Sequence, residues 1–300
     1  VKNIGIAIAG TSGYPIDDAA LARGIACLEA QGCIVHNYYE PESKFQRFAG
    51  TDQARLAQLN AAAADPDCQI VLALRGQYGI SRLLPHIDFR AMADSGKLFS
   101  GFSDITAFHM GLYQATGRIS FAGPIYTDFM REEPVAYTMQ QFWDCLRGPT
   151  HFVRGAAEGN PQVDVQGTLW GGNLAMVNHL IGTPFWPQID GGILFLEDIG
   201  EHPYRVERML LQLHFAGVLE RQRAVVLGDF SGYKLAPHDN GYDFDAMLTY
   251  LRGLLRVPVL TGLPFGHGAV RCTLPFGAQA HLVSDAEGFD LTVSGYPTLP

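Results

Sequence analysis

Over the first 125 residues, short apolar runs alternate with stretches of helical spacing. Residues 4–9 read as a strand that runs into the turn Gly10-Thr11-Ser12-Gly13, and residues 17–30 as a helix with Gly32 placed to end it. Residues 33–35 begin a second strand, and residues 52–64 are rich in helix formers. Residues 70–74 are continuously apolar, as a strand covered on both faces of a parallel sheet must be. Residues 97–101 predict a shorter strand, and residues 104–115 a helix before Gly117. Such alternation predicts an α/β fold with a doubly wound, mostly parallel sheet.

Between residues 126 and 167 the pattern weakens. Glu132, Glu133, Pro134, Gly148, Pro149, Gly155, Gly159 and Pro161 give this stretch the look of a linker with one helix near residues 139–146. Beyond it, residues 172–181 and 203–215 predict helices, the second with Pro203 at its start. Residues 192–196, 224–228, 257–260, 280–283 and 289–293 predict strands. The expected organisation is an N-terminal α/β domain over 1–150 and a mixed, strand-rich α/β domain over 151–300.

Composition narrows the function. Of 300 residues, 47% are hydrophobic and 17% charged, enough apolar material for a full core. The 21 basic and 30 acidic residues leave a net charge of −9, so the cationic excess a nucleic-acid binder needs is missing. No run approaches the roughly 18 apolar residues of a membrane span. The opening VKNIGIAIAGTSG has neither a cationic n-region nor a clear cleavage site, so the expectation is a strand and not an export signal. Cys27, Cys33, Cys68, Cys145 and Cys272 are odd in number and form no C-x-x-C pair. Scattered thiols of this kind point to a reducing, cytoplasmic setting.

Four segments carry possible chemistry. In GFSDITA, Ser103 falls where a strand gives way to a helix. A serine there is either a helix N-cap or an exposed nucleophile with helix N–H groups beside it. In LRGQYG, Arg75 to Gly79 follows the most apolar strand, at the edge where open α/β sheets bind ligands. Gly76 there permits a backbone anion nest or simply a tight turn. The Gly10–Gly13 turn matches neither G-x-G-x-x-G nor a P-loop. In GILFLED, an apolar strand ends in Glu197 and Asp198. Because neighbouring strand residues face opposite ways, only one of the two is expected to enter a given site. In LPFGHG, His267 lies between glycines on a loop, free to project as a general base. The other histidines show no H-E-x-x-H or Cys/His ligand spacing, so no metal or cofactor is expected.

Longer blocks carry a resemblance. RFAGTDQARLAQLN, LALRGQYGISRLLPHIDF, GFSDITA, GTLWGGNLAM, LIGTPFWP, LFLEDIGEHPYRVERMLLQL and LTGLPFGH closely resemble the LD-carboxypeptidases, serine peptidases of muramoyl tetrapeptides, nearly end to end. The resemblance implies Ser103 as nucleophile, Glu197 as acid and His267 as base. It also implies an oxyanion hole from the backbone N–H of Asp104 with that of Gly76 or Gln77. Gln77 stands where the family loop R-G-G-Y-G has its second glycine, and a side chain there narrows the pocket or resists a positive φ. The implied reaction is removal of the terminal D-Ala from a murein tetrapeptide during cytoplasmic cell-wall recycling, by a homodimer without metal or cofactor. Arg75 and Arg205 are candidates to hold the substrate carboxylate or to form structural ion pairs. Trp170 and Asn173 are candidates for substrate contact or packing. Two alternatives stand beside this reading. One is a microcin C-type acyl-adenylate peptidase from a sister branch, with Trp170 or Trp186 as an adenine shelf. The other is a non-catalytic muropeptide-binding protein. The negative net charge offers an anionic muropeptide no general attraction, so any attraction must be local to the cleft.

Overall fold

Two β-sheets organise the chain in the computed structural model, which describes residues 4–155 and 159–300. In chain order the strands are β1 (Ile4–Ala9), β2 (Cys33–Asn37), β3 (Ile70–Ala73), β4 (Leu98–Gly101), β5 (Ser120–Ala122), β6 (Thr150–Gly155), β7 (Val163–Asn173), β8 (Ile193–Glu197), β9 (Ala224–Leu227), β10 (Val259–Leu260), β11 (Leu274–Phe276), β12 (Gln279–Ser284) and β13 (Phe289–Ser294). The α-helices are α1 (Leu21–Glu29), α2 (Asp52–Ala64), α3 (Phe89–Asp94), α4 (Thr106–Thr116), α5 (Tyr126–Phe129), α6 (Ala136–Arg147), α7 (Leu174–His179), α8 (Pro203–Phe215) and α9 (Phe244–Leu254).

The first sheet has the order β11-β5-β4-β3-β1-β2. Strands β1 to β5 are parallel, and helices α1 to α4 make the crossovers. This is the doubly wound α/β layer expected from the alternation, and all four residues of β3 are buried, as its continuous apolar run requires. The second sheet has the order β10-β9-β8-β7-β12-β13-β6. Its β7–β10 half is parallel and its β7-β12-β13-β6 half antiparallel. β7 belongs to both halves, and its burial changes where its partners do. The start, paired with β12, alternates between half-buried and exposed positions, whereas Leu169 to Asn173, paired with β8, are buried without a break. One strand thus carries the period of two, then the solid apolar run, that antiparallel and parallel pairing demand.

The stretch read as a linker, residues 126–167, is mostly regular structure: α5, α6, β6 and the start of β7. β6 alternates exposed and buried positions because it is an edge strand with one face on the core, and its outward residues are polar apart from Phe152. β11 was also not expected. Three residues with a central proline give no strand signal, yet Leu274 to Phe276 pair antiparallel with β5 at the sheet edge, where proline is tolerated. This strand brings the late part of the chain back onto the first sheet. The segment between β10 and β11, which carries His267, is therefore anchored in the second sheet at one end and the first sheet at the other.

Close contact between the layers is made at Gly172. A Cβ there would lie 2.4 Å from Thr106 Oγ1, so only glycine lets the end of β7 meet the start of α4. Next to it, the Asn173 backbone N–H donates to Thr106 Oγ1 at 3.0 Å.

Candidate active site

Ser103 sits on a strained elbow. β4 ends at Gly101, and Ser103 opens a short 3-10 turn that leads into α4, with its own φ at +63°. A non-glycine residue in the left-handed region costs about 1–2 kcal/mol. Ser103 caps neither the turn nor the helix: the cap positions are Phe102 and Ile105, and no side-chain capping bond is made at either. Of the two readings of this serine, the N-cap is absent, and the hydroxyl is free to face the carboxyl edge of the first sheet. Gly101 makes the sharp exit possible, since a Cβ there would meet Ile105 Cγ2 at 2.9 Å and Ala73 Cβ at 3.0 Å.

A hydrogen-bonded chain runs inward from this hydroxyl. Ser103 Oγ lies 3.2 Å from His267 Nε2, and His267 Nδ1 lies 2.7 Å from Glu197 Oε2. Glu197 is the last residue of β8 and is fully buried. The loop around His267 can approach it because position 266 is glycine at φ +141°; a Cβ there would be 2.8 Å from Asp229 Cβ and 3.2 Å from Glu197 Oε2. The His267 ring rests on Phe102, with centroids 4.8 Å apart. Phe102 also meets Arg271, whose guanidinium carbon is 3.5 Å from the ring centre. Arg271 is itself buried, donates from Nε to the Gly266 carbonyl at 2.9 Å, and pairs with Asp128 at 2.6 Å. The ring, its loop and the elbow thus share one support that no local sequence signal announced.

Asp198 departs from the sequence expectation. It lies just beyond the end of β8, so strand alternation no longer dictates its direction, and both acids join one network. Asn173 Nδ2 donates to Glu197 Oε1 at 3.2 Å and to Asp198 Oδ1 at 3.0 Å. Asp198 also accepts from the backbone N–H groups of Ala175 and Ile199, each at 2.9 Å, and it lines the cleft. Burial, opposed by the hydrogen bond from Asn173 and helped by the charge of Glu197, raises its pKa to about 6.

The loop after β3 closes over the serine. A Cβ at Gly76 would come within 2.9 Å of Ser103 Cβ and 3.1 Å of Ser103 Oγ, so this backbone approaches the hydroxyl as closely as glycine allows. Gln77 adopts φ +73° despite its side chain, which lies against Gly13. The Gly10–Gly13 turn buttresses this loop: Gly13 N–H donates to the Gly76 carbonyl at 3.0 Å. Ser12 Oγ donates to Asp104 Oδ2 at 2.6 Å, and the same oxygen accepts from Ile80 N–H at 2.8 Å. Asp104 therefore ties the elbow to both loops, and burial raises its pKa. Behind it, buried Arg55 donates to the carbonyls of Thr11 and Gly79.

The resulting cleft has a volume of about 530 Å³, and Arg75, Gln77, Tyr78, Asn173, Met176 and Ile199 are among its walls. Arg75 is held by the Tyr14 carbonyl at 2.7 Å. Arg205 is elsewhere, exposed on α8 and 3.7 Å from Glu201. Trp170 is buried, donates to Gln222 at 2.9 Å, and packs edge-on against buried Trp186; neither indole lines the cleft. The ligand-type atoms of His36, Asp65 and Cys68 come within 4.8 Å of one another, but none of the three lines the cleft.

A serine on a strand–helix elbow, bonded to a histidine whose other ring nitrogen meets a buried carboxylate, is the arrangement of the serine hydrolases. Comparison with known proteins narrows the class. Residues 6–123 match the LD-carboxypeptidase N-terminal domain, and residues 166–282 the LD-carboxypeptidase C-terminal domain. The murein tetrapeptide carboxypeptidase of Pseudomonas aeruginosa is 32% identical over 85% of this chain and 85% of its own length. The crystal structure of muramoyltetrapeptide carboxypeptidase from Oxalobacter formigenes shares 50% identity and superposes with a TM-score of 0.94, covering 98% of this chain and 100% of that one. The Microcin C7 self-immunity protein MccF of Escherichia coli is 25% identical over 90% of this chain and 87% of its own. The chain belongs to the LD-carboxypeptidase family and is a serine carboxypeptidase.

Proposed function

We propose that this carboxypeptidase removes the terminal D-Ala from murein tetrapeptide, cutting after the L-centre of diaminopimelate, in the cytoplasmic recycling of peptidoglycan. The observation that carries the reading is the continuous chain from Ser103 Oγ through His267 to Glu197, with bonds of 3.2 and 2.7 Å, beside a cleft that holds one arginine. His267 Nε2 takes the Ser103 proton as Oγ attacks the carbonyl, and Glu197 holds the Nδ1–H tautomer and stabilises the imidazolium. The backbone N–H groups of Asp104 and of Gly76 or Gln77 receive the oxyanion, a contribution of about 10²–10³-fold per donor. His267 returns the proton to the departing D-Ala amine, and water then releases the tripeptide from the acyl-enzyme. Arg75 meets the terminal carboxylate and supplies the local attraction that a −9 chain lacks overall.

The names of the Pseudomonas and Oxalobacter relatives support the substrate class. Burial of Trp170 and Trp186 favours it over an acyl-adenylate substrate, because neither indole offers a shelf in the cleft. Cys33, Cys68, Cys145 and Cys272 are free and buried, the state that a reducing compartment preserves. The test is mass-spectrometric detection of free D-Ala after incubation with murein tetrapeptide. Wild-type protein releases it and folded Ser103→Ala does not; no release at high enzyme concentration defeats the reading.

A further inference from the structure

Outside the cleft, three metal-ligating side chains from different elements converge. His36 stands on β2, and Asp65 and Cys68 on the turn between α2 and β3. β1 lies between those two strands in the sheet. The turn crosses β1 at Gly5, where a Cβ would lie 1.9 Å from the Asp67 carbonyl oxygen, so only glycine lets it pass. Beyond the crossing the three side chains meet, with Asp65 Oδ2 at the centre. His36 Nδ1 lies 2.5 Å from this oxygen, which also accepts from Tyr38 OH at 2.8 Å and from Cys68 Sγ at 3.3 Å. The surroundings fix the arrangement. Asp67 N–H donates to the other carboxylate oxygen at 2.9 Å, and buried Lys97 donates to the backbone carbonyls of both Asp65 and Cys68.

We propose that His36, Asp65 and Cys68 bind one divalent cation of the zinc type, which clips β2 to the turn before β3. Nitrogen, carboxylate oxygen and sulfur in one set suit zinc, whereas magnesium and calcium take oxygen. Charge favours the ion as well. A carboxylate and a thiolate balance its two positive charges, and a neutral imidazole adds none. In the metal-free protein, burial and the bond to Asp65 hold the Cys68 thiol protonated, with its pKa raised to about 12. On binding, the S–H bond gives way to a metal–sulfur bond and the proton leaves to solvent. The imidazole presents Nδ1 and keeps its proton on Nε2. Zinc–ligand bonds of about 2.0–2.3 Å set tetrahedral ligand separations of about 3.3–3.6 Å. The Cys68–Asp65 pair is already within about 0.3 Å of this, and the His36–Asp65 contact opens by about 0.8 Å. His36 has room for that movement, because its side chain is 31% exposed, and the same opening leaves the fourth position to water. Tyr38 keeps its bond to Asp65 and orients the carboxylate.

The experiment dialyses the full chain against a chelator and titrates it with Co²⁺ and then with Zn²⁺. Stoichiometric Co²⁺ gives a saturable thiolate-to-cobalt charge-transfer band in the near ultraviolet, Zn²⁺ abolishes the band, and Zn²⁺ raises Tm. Cys68→Ala removes the band. His36→Ala, at a partly exposed position, weakens Co²⁺ binding by at least about 100-fold, and Tyr38→Phe, which loses only the bond to Asp65, by about tenfold. Circular dichroism shows that each variant is folded. Absence of the band in wild type, a band that survives Cys68→Ala, or equal Co²⁺ affinity in wild type and folded His36→Ala overturns the site and leaves Asp65 as a hydrogen-bond acceptor alone.

Discussion

Replacing Gly76 by alanine places a methyl carbon 2.9 Å from Ser103 Cβ and 3.1 Å from Ser103 Oγ. Carbon atoms pack at about 3.5–4.0 Å, so the loop and the elbow must part by about 0.6–1 Å. Neither side yields freely: Ser103 is held in a left-handed conformation, and Asp104 beside it is tied to Ser12 and Ile80. The movement falls on the 3.2 Å bond between Ser103 and His267 and on the backbone N–H groups beside the hydroxyl. A displacement of about 1 Å in a reacting group costs about 10²-fold in rate, or about 2.7 kcal/mol of barrier. Overpacking of this kind also costs about 1–3 kcal/mol of stability. Gly76→Ala therefore lowers kcat for D-Ala release about 100-fold with KM within threefold, because Arg75 and the cleft walls remain. The assay couples released D-Ala to a D-amino-acid oxidase, with a thermal melt to show that the variant is folded. Gly253→Ala is the control: it lies in α9, a Cβ there meets nothing within 4 Å, and it stabilises by about 0.5–1 kcal/mol without touching kcat. A folded Gly76→Ala enzyme with kcat within threefold of wild type refutes the close-approach argument.

Two further substitutions test the supports of the site. Asp198 has a pKa raised to about 6, so its proton stabilises the fold below about pH 4 and that contribution is lost as pH rises through 6. A shift of about two units is about 3 kcal/mol. Relative to wild type, Asp198→Asn gains about this much stability between pH 4 and pH 7.5 in urea unfolding, and a difference flat with pH contradicts the assignment. The expected activity profile of wild type has a component near pH 6 from titration of Asp198, whose carboxylate accepts from Asn173, Ala175 and Ile199, and Asp198→Asn removes it. Asp128→Ala strands buried Arg271 and costs about 3–5 kcal/mol, since their 2.6 Å pair lies beneath the histidine loop. A loss under 1 kcal/mol in the same unfolding assay rules out that support.

What could be read from the sequence was local. The buried run of β3, the apolar end of β8, the helix-forming composition of α2 and the spacing of α8 with Pro203 at its start each report their own environment, and together they imply the α/β layers. Ser103, Glu197 and His267 each stood out by position: a strand–helix junction, a strand end, a loop between glycines. The resemblance implied their meeting but the local patterns did not, because it depends on β11 pairing with β5 across some 150 residues of chain through three residues with no strand signal. The same limit hid Asp198, whose direction is set by donors from Asn173 and Ala175 on a neighbouring element, and Arg271, which looks like any other arginine until Asp128 and Phe102 surround it. Trp170 and Arg205 show the converse. Their place in a conspicuous block says nothing about orientation, and one packs inward on Trp186 while the other faces solvent beside Glu201.

The central claim is that Ser103 forms the acyl-enzyme. Rapid acid quench of wild-type protein with murein tetrapeptide, followed by peptide mapping, reads it directly. The expected result is a tripeptide-acyl adduct on the peptide that carries Ser103, formed with a stoichiometric burst of D-Ala, and neither adduct nor turnover in folded Ser103→Ala. An adduct on a different residue, or a folded Ser103→Ala protein that releases D-Ala at the wild-type rate, would contradict it.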